Sequence, residues 1–208
     1  DCVRSTEFAI ALQRLDPIGA AFLHPNGKAY FFRGDRYQRY IFDRDIVDKI
    51  GRIGTDGWRG LWTDGIDAAV MHPNGKAYFF RGNRYQRFDF SSDRVDKEAR
   101  INVDGWRGLW TDGIDAAILH PNGKAYFFKD NQYQRFDFGS DRVDKTARID
   151  VDGWRGLSRN GIDAAVRHPN GKAYFFNGNN YQRFDFGDDR MDKTARIGVD
   201  GWWTLRTI

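Results

Sequence analysis

The chain has 208 residues, a formal net charge of +4 and a single cysteine, Cys2. That length allows one sizeable domain or two small ones, and a lone cysteine excludes an intramolecular disulfide while leaving an intermolecular one open. Basic and acidic residues are interspersed, which argues against the basic stripe of a nucleic-acid binder, and no run approaches the ~18 apolar residues of a transmembrane helix.

In chain order, residues 1–17 stand outside any repeat and carry Phe8, Ile10, Leu12 and Leu15, an arm suited to packing on a neighbouring edge. From Ile18 onward the chain repeats. His24, His72, His120 and His168 are spaced 48 residues apart, so every histidine occupies the same place in one unit. A fixed period of this length is read before any local feature, because one unit alone cannot bury its apolar face. Residues 18–208 are expected to form one domain of units at about 18–65, 66–113, 114–161 and 162–208.

The second unit shows the pattern. Ile66 to His72 reads as a short apolar strand, and Pro73-Asn74-Gly75 as a turn in which proline pre-sets φ and Asn-Gly tolerates positive φ. Lys76 to Arg81 is a second strand, Gly82-Asn83 a turn, and Arg84 to Phe90 a third strand. Tyr78, Phe79 and Phe80 are consecutive, with no polar alternation, as in a sheet covered on both faces. Asp93 to Ile101 reads as a charged outer strand or helical turn facing water. Trp106, with Trp58, Trp154 and Trp202, is expected to plug the junction between successive units, and Ile10 falls at the same place in the N-terminal arm. The expected architecture is all-β, a four-bladed β-propeller of four-stranded antiparallel blades, with the arm as candidate closure segment.

Residues Ile-Asp-Ala-Ala (66–69, 114–117, 162–165), Gly-x-x-Tyr-Phe-Phe (75–80, 123–128, 171–176), Tyr-x-x-Phe/Tyr in the third strand and the Trp-x-Gly-Leu exit resemble hemopexin repeats, with Ile18-Gly19-Ala20-Ala21 an imperfect first copy. The resemblance runs from Ile18 to about Leu205 and implies a propeller with ions in a central channel. Cys2 has no partner for the terminal disulfide some members carry. A stand-alone four-bladed chain is similar to plant seed albumins of the family, whose relatives are associated with haem, polyamine or cell-surface sugar binding. Location stays open between secretion and a seed cytosol or storage compartment, and oligomeric state between monomer and homodimer.

Backbone geometry gives the channel its chemistry. The innermost strand of each blade turns one unpaired edge to the axis, and alternate residues present N–H and C=O there. The main-chain oxygens of Gly19, Asp67, Asp115 and Asp163 are expected to form one ring, with a second main-chain ring from Ala21, Ala69, Ala117 and Ala165. Hard oxygens suit Ca²⁺ or Na⁺, and N–H groups suit Cl⁻. Gly19 favours main-chain over carboxylate ligation, and the Asp side chains are expected to bond inter-blade loops. Two further sets are candidates for ligand binding. His24, His72, His120 and His168 sit at one channel mouth, as a metal ring or a haem ligand, against the plainer reading of turn packing. Trp62 and Trp110 could stack on a sugar or porphyrin, against packing in the junctions; Ser158 stands at the third such position. Near-identical repeats lack the asymmetric set of groups an active site needs, so no enzymatic activity is expected. The leading reading is a binder of a small ligand such as haem or a polyamine. A multivalent lectin-like or cell-surface-binding protein is the alternative, and a storage protein the third reading.

Overall fold

The computed structural model describes residues 18–205; the N-terminal arm, with Cys2 and Ile10, lies outside them. The described residues form four antiparallel four-stranded sheets, each in simple up-and-down order. The first holds β1 (Ala20–Leu23), β2 (Ala29–Arg33), β3 (Arg36–Ile41) and β4 (Ile46–Arg52). The second holds β5 (Ala68–Met71), β6 (Ala77–Arg81), β7 (Arg84–Asp89) and β8 (Arg94–Arg100). The third holds β9 (Ala116–Leu119), β10 (Ala125–Lys129), β11 (Gln132–Asp137) and β12 (Arg142–Arg148). The fourth holds β13 (Ala164–Arg167), β14 (Ala173–Asn177), β15 (Asn180–Asp185) and β16 (Arg190–Arg196). Strands β1, β5, β9 and β13 touch one another in a closed ring, so the sheets are blades around one axis.

Burial follows position in the blade. The second strands are buried at four consecutive residues, Ala77 to Phe80 for example, because both faces meet a neighbouring blade. The outermost segment is a strand and not a helical turn; in β8 its exposure alternates, as expected where one face meets water. In every blade the register between third and fourth strands slips at one place, in the second between Arg87 and Phe88. The slip leaves Asp96 without a cross-strand partner and turns its carboxylate to Arg87 Nε (2.7 Å) and Lys76 Nζ (2.5 Å). The Asp-Arg-x-Asp-Lys run is therefore only partly a solvated face, because its second aspartate ties three strands together.

Four aromatic clusters fill the four junctions. In one, Trp106 meets Phe80 at 5.0 Å, Phe127 at 5.6 Å and Phe136 at 4.6 Å, drawing on two blades. Its backbone is left-handed, φ 55°, as are Trp58, Trp154 and Trp202. Such a conformation costs a bulky residue roughly 1–2 kcal/mol, and burial of the indole offsets it by about 2–3 kcal/mol. The preceding glycine is needed for space: a Cβ on Gly105 would sit 3.0 Å from the Tyr85 hydroxyl, which donates to the Asp104 carbonyl.

Successive blades are also linked through the backbone. Val95 N–H donates to Arg59 O, and Val143 and Met191 donate likewise to Arg107 and Arg155, each at 2.8 Å. Between the fourth and first blades the link differs: Val47 N–H donates to the Thr204 hydroxyl at 2.8 Å. Trp202 packs there against Phe31 and Tyr40, so residues of the last exit close the ring.

Candidate functional site: the channel and the cleft of the fourth blade

The inner strands set the polarity of the channel wall. His72 N–H donates to Lys76 O, so the in-phase residues Val70 and Ala68 also turn their polar groups to β6. Ala69 and Met71 then face the axis, as do Ala21, Ala117 and Ala165 by the same register. At Asp67 the alternation breaks: its N–H donates to Phe80 O at 2.8 Å. Gly19, Asp115 and Asp163 do the same with Phe32, Phe128 and Phe176. A planar trans peptide still points the Asp67 carbonyl away from β6, opposite the Ala68 N–H. These four positions therefore have carbonyl oxygens to offer and no free N–H.

The aspartate side chains turn away from inter-blade loops. Asp67 accepts from Gly82 N–H at 2.7 Å, Asp115 from Asp130 N–H at 2.7 Å and Asp163 from Gly178 N–H at 2.6 Å. Each caps the turn between second and third strands of its own blade, which corrects the expectation of inter-blade bonds. The reason is reach, since that turn ends the strand paired with the aspartate. Burial lifts the Asp115 carboxyl above the usual range, with the charges of Asp130 and Asp163 adding to it, and burial lifts Asp163 likewise. At Gly19 a side chain has no room, because a Cβ would lie 2.8 Å from the Ile66 carbonyl oxygen.

The histidines are packed apart. His24, His72, His120 and His168 each accept a hydrogen bond at Nδ1 from the backbone N–H of the turn asparagine, at 2.9–3.0 Å. Each ring stands edge-on to a phenylalanine of an adjacent blade, namely Phe90, Phe138, Phe186 and Phe42, at 4.4–4.7 Å. No group of three or more His, Cys, Asp or Glu side chains suited to a metal ion occurs among the described residues. Trp62 and Trp110 are partly buried and pack on the junction clusters, as the plainer reading has it.

Ser158 breaks that pattern. Trp62, Trp110 and Ser158 each donate their backbone N–H to the same glutamine of the following blade: Gln86, Gln134 and Gln182. Where the indoles lie in two blades, the fourth has a cavity of about 390 Å³ beside Ser158. Its floor is Leu157, Ile162, Phe175 and Phe176, and its rim is neutral and polar: Asn160, Asn177, Asn180, Gln182 and Thr194. The matching rims are charged, with Arg84 paired to Glu98 at 2.8 Å and Lys129 to Asp112 at 2.5 Å. Asn177 Nδ2 donates to Asn160 O and Gly161 O at 3.0 and 2.6 Å, while the side chains of Asn180 and Thr194 have no hydrogen-bond partner among the described residues.

A second cavity, about 190 Å³, lies at the end of the channel where the inner strands finish, between Leu23, Met71, Leu119 and Arg167. In sequence this arginine is marked only by being the one charged residue in a column of Leu23, Met71 and Leu119.

The hemopexin family model matches residues 66–111, 114–158 and 162–204. The chain belongs to the hemopexin family. Among solved structures, this hemopexin-repeat chain is similar to the hemopexin fold protein CP4 from cow pea, with 27% identity, a TM-score of 0.78, and coverage of 93% of this chain and 99% of that one. A plant lectin with two metal binding sites from Cicer arietinum is 26% identical, with a TM-score of 0.78, covering 93% of this chain and 98% of that one. A plant albumin from Cicer arietinum showing hemagglutination matches at the same identity, 26%, and a TM-score of 0.78, over 93% of this chain and 98% of that one. No curated protein is significantly similar in sequence.

Proposed function

We propose that this hemopexin-repeat chain is a non-enzymatic, lectin-like protein that binds a neutral sugar in the cleft of its fourth blade. The observation that carries the reading is the replacement of a covering indole by Ser158 over an apolar floor ringed with carboxamides and hydroxyls. Sugars are recognised by such a mixture: hydroxyls bond to amides, and the C–H face lies on apolar surface. A cavity of about 390 Å³ falls within the range of small-molecule sites, ~300–1,000 Å³. Similarity to a haemagglutinating albumin and to a plant lectin supports the class of ligand. Trp62 and Trp110 fill the matching places in two blades, so the proposal is one cleft in these blades and not equal sites on each. Agglutination would then require self-association of the chain.

The channel is proposed to hold structural ions. Carbonyls of Gly19, Asp67, Asp115 and Asp163 would hold Ca²⁺ or Na⁺, and main-chain N–H groups of Ala21, Ala69, Ala117 and Ala165 would hold Cl⁻. The donor set fits, being hard oxygens at one level and free N–H groups at the next. A haem or polyamine ligand draws less support, because all four imidazoles are committed to turns.

Titration of a panel of neutral mono- and oligosaccharides, with haemin and spermine alongside, tests the reading. Wild type should bind a sugar at one equivalent, and Ser158→Trp should weaken it at least tenfold while the fold is retained. Equal sugar affinity in Ser158→Trp, or saturable haemin or spermine binding with no sugar response, would overturn it.

A further inference from the structure

The channel end bounded by Leu23, Met71, Leu119 and Arg167 holds a cation that has no counter-ion among the described residues. Arg167 projects from the end of β13 across the junction towards the third blade, its Nη1 donating weakly to Leu119 O at 3.4 Å. Its guanidinium lies over the Phe186 ring at 5.2 Å, and its Nε is buried with no hydrogen-bond partner among the described residues. Among the described residues no aspartate or glutamate pairs with it; the titratable neighbour that feels its charge is His120, another base. Leaving a buried donor unsatisfied costs about 1–3 kcal/mol, more for a charged one. In three blades the same position is filled by Leu23, Met71 and Leu119, which would pack the channel end without any such cost.

We propose that Arg167 anchors the carboxylate of a small amphipathic acid whose apolar body occupies the channel end. The cavity is one-sided in the way such a ligand requires: one guanidinium, and otherwise apolar residues, among them Leu23, Met71 and Leu119, down to the alanine level of Ala69, Ala117 and Ala165. Its volume of about 190 Å³ is that of roughly six waters, which fits a short fatty or a monocyclic aromatic acid and is too small for a porphyrin. Guanidinium binds a carboxylate through paired N–H donors, and Nε is the donor that stands ready. Burial, by lowering the arginine's proton affinity, adds to the pull for an anion. The site is separate from the sugar cleft and does not rest on it.

The test uses octanoate and benzoate as probes, with octanol as the neutral control, followed by calorimetry on the full chain. Wild type should bind one acid per chain, and raised salt should weaken it. Arg167→Leu, which restores the residue of the first and third blades, should fold at least as stably and lose about 30-fold or more in acid affinity, with octanol unaffected. Arg167→Lys should retain part of the affinity through charge alone. Equal acid binding by wild type and Arg167→Leu would overturn the proposal, as would failure of both acids to bind wild type at about 10 mM, or equal loss of octanol in the variant.

Discussion

The histidines predict how the fold responds to acid. In the native state each Nδ1 accepts a turn N–H, which an imidazolium cannot do, and each ring is packed on aromatic neighbours. Burial pulls His24 down from 6.5 to about 4, against the opposing effect of Asn26, and lowers His72, His120 and His168 in the same direction. Between about 4 and 6.5 the unfolded chain therefore holds more protons than the folded one at this position, so stability falls as pH falls through that window. At ~1.4 kcal/mol per pH unit, full expression at His24 would be about 3 kcal/mol; with solvent reaching part of the ring, about 1–2 kcal/mol is expected. Depressed carboxylates such as Asp192, at about 2, act only at lower pH, whereas Asp115 and Asp163, lifted by burial, take up protons more readily folded than unfolded and oppose part of the histidine slope. Urea titrations at pH 7.0, 5.5 and 4.5 measure the slope. His24→Asn, whose side-chain oxygen can accept the same N–H, should flatten it by about a quarter. A midpoint that is constant from pH 7.0 to 4.5, or an unchanged slope in the variant, would refute the reasoning.

Other outcomes are expected from the junctions and turns. Trp106→Ala removes an indole from a cluster drawn from two blades and should cost about 3–5 kcal/mol in denaturant unfolding. Thr204→Ala should cost roughly 1 kcal/mol through the lost bond to Val47, and Thr204→Gly less than that, because Thr204 has φ 64°. Asp163→Ala strips the cap from Gly178 N–H and should lower the melting temperature, the loss corresponding to about 1–2 kcal/mol. Chelation of a channel cation should lower the melting temperature, and added Ca²⁺ or Na⁺ should restore it.

Most of the architecture was legible because a period repeats its own evidence. The strand pattern, the turns at Pro73-Asn74-Gly75 and the junction tryptophans recur in each unit, so no reading rested on a single segment. The outer segment was ambiguous between strand and helical turn because Asp93 to Arg100 is charged but for Val95 and Ala99, whose spacing suits either, and only pairing with β7 decides it. The direction of the Asp67 side chain was not legible either. Its partner, Gly82, is fixed by the length of the hairpin between β6 and β7, which sequence alone does not locate in space. The closing bond from Thr204 was likewise hidden, since its partner Val47 is 157 residues away.

The positions bearing on function are those where the repeats disagree. A residue shared by every blade is explained by what every blade must do: His72 braces a turn and Trp106 fills a junction, while Asp67, shared by three blades, caps a hairpin. None of these needs a ligand. Ser158 and Arg167 do the opposite, because each leaves its place worse packed or worse neutralised than its counterparts. Tryptophan at 158 would bury apolar surface worth about 2–3 kcal/mol, and leucine at 167 would remove an unsatisfied guanidinium donor. Ser158 stands in the exit of the third unit, against the fourth blade, and Arg167 in the fourth blade's inner strand, and each lines a cavity. If they were neutral drift, Ser158→Trp and Arg167→Leu would raise stability and change nothing else. If the cavities hold ligands, each variant gains stability and loses one kind of binding, sugar for the first and acid for the second, with the other left intact.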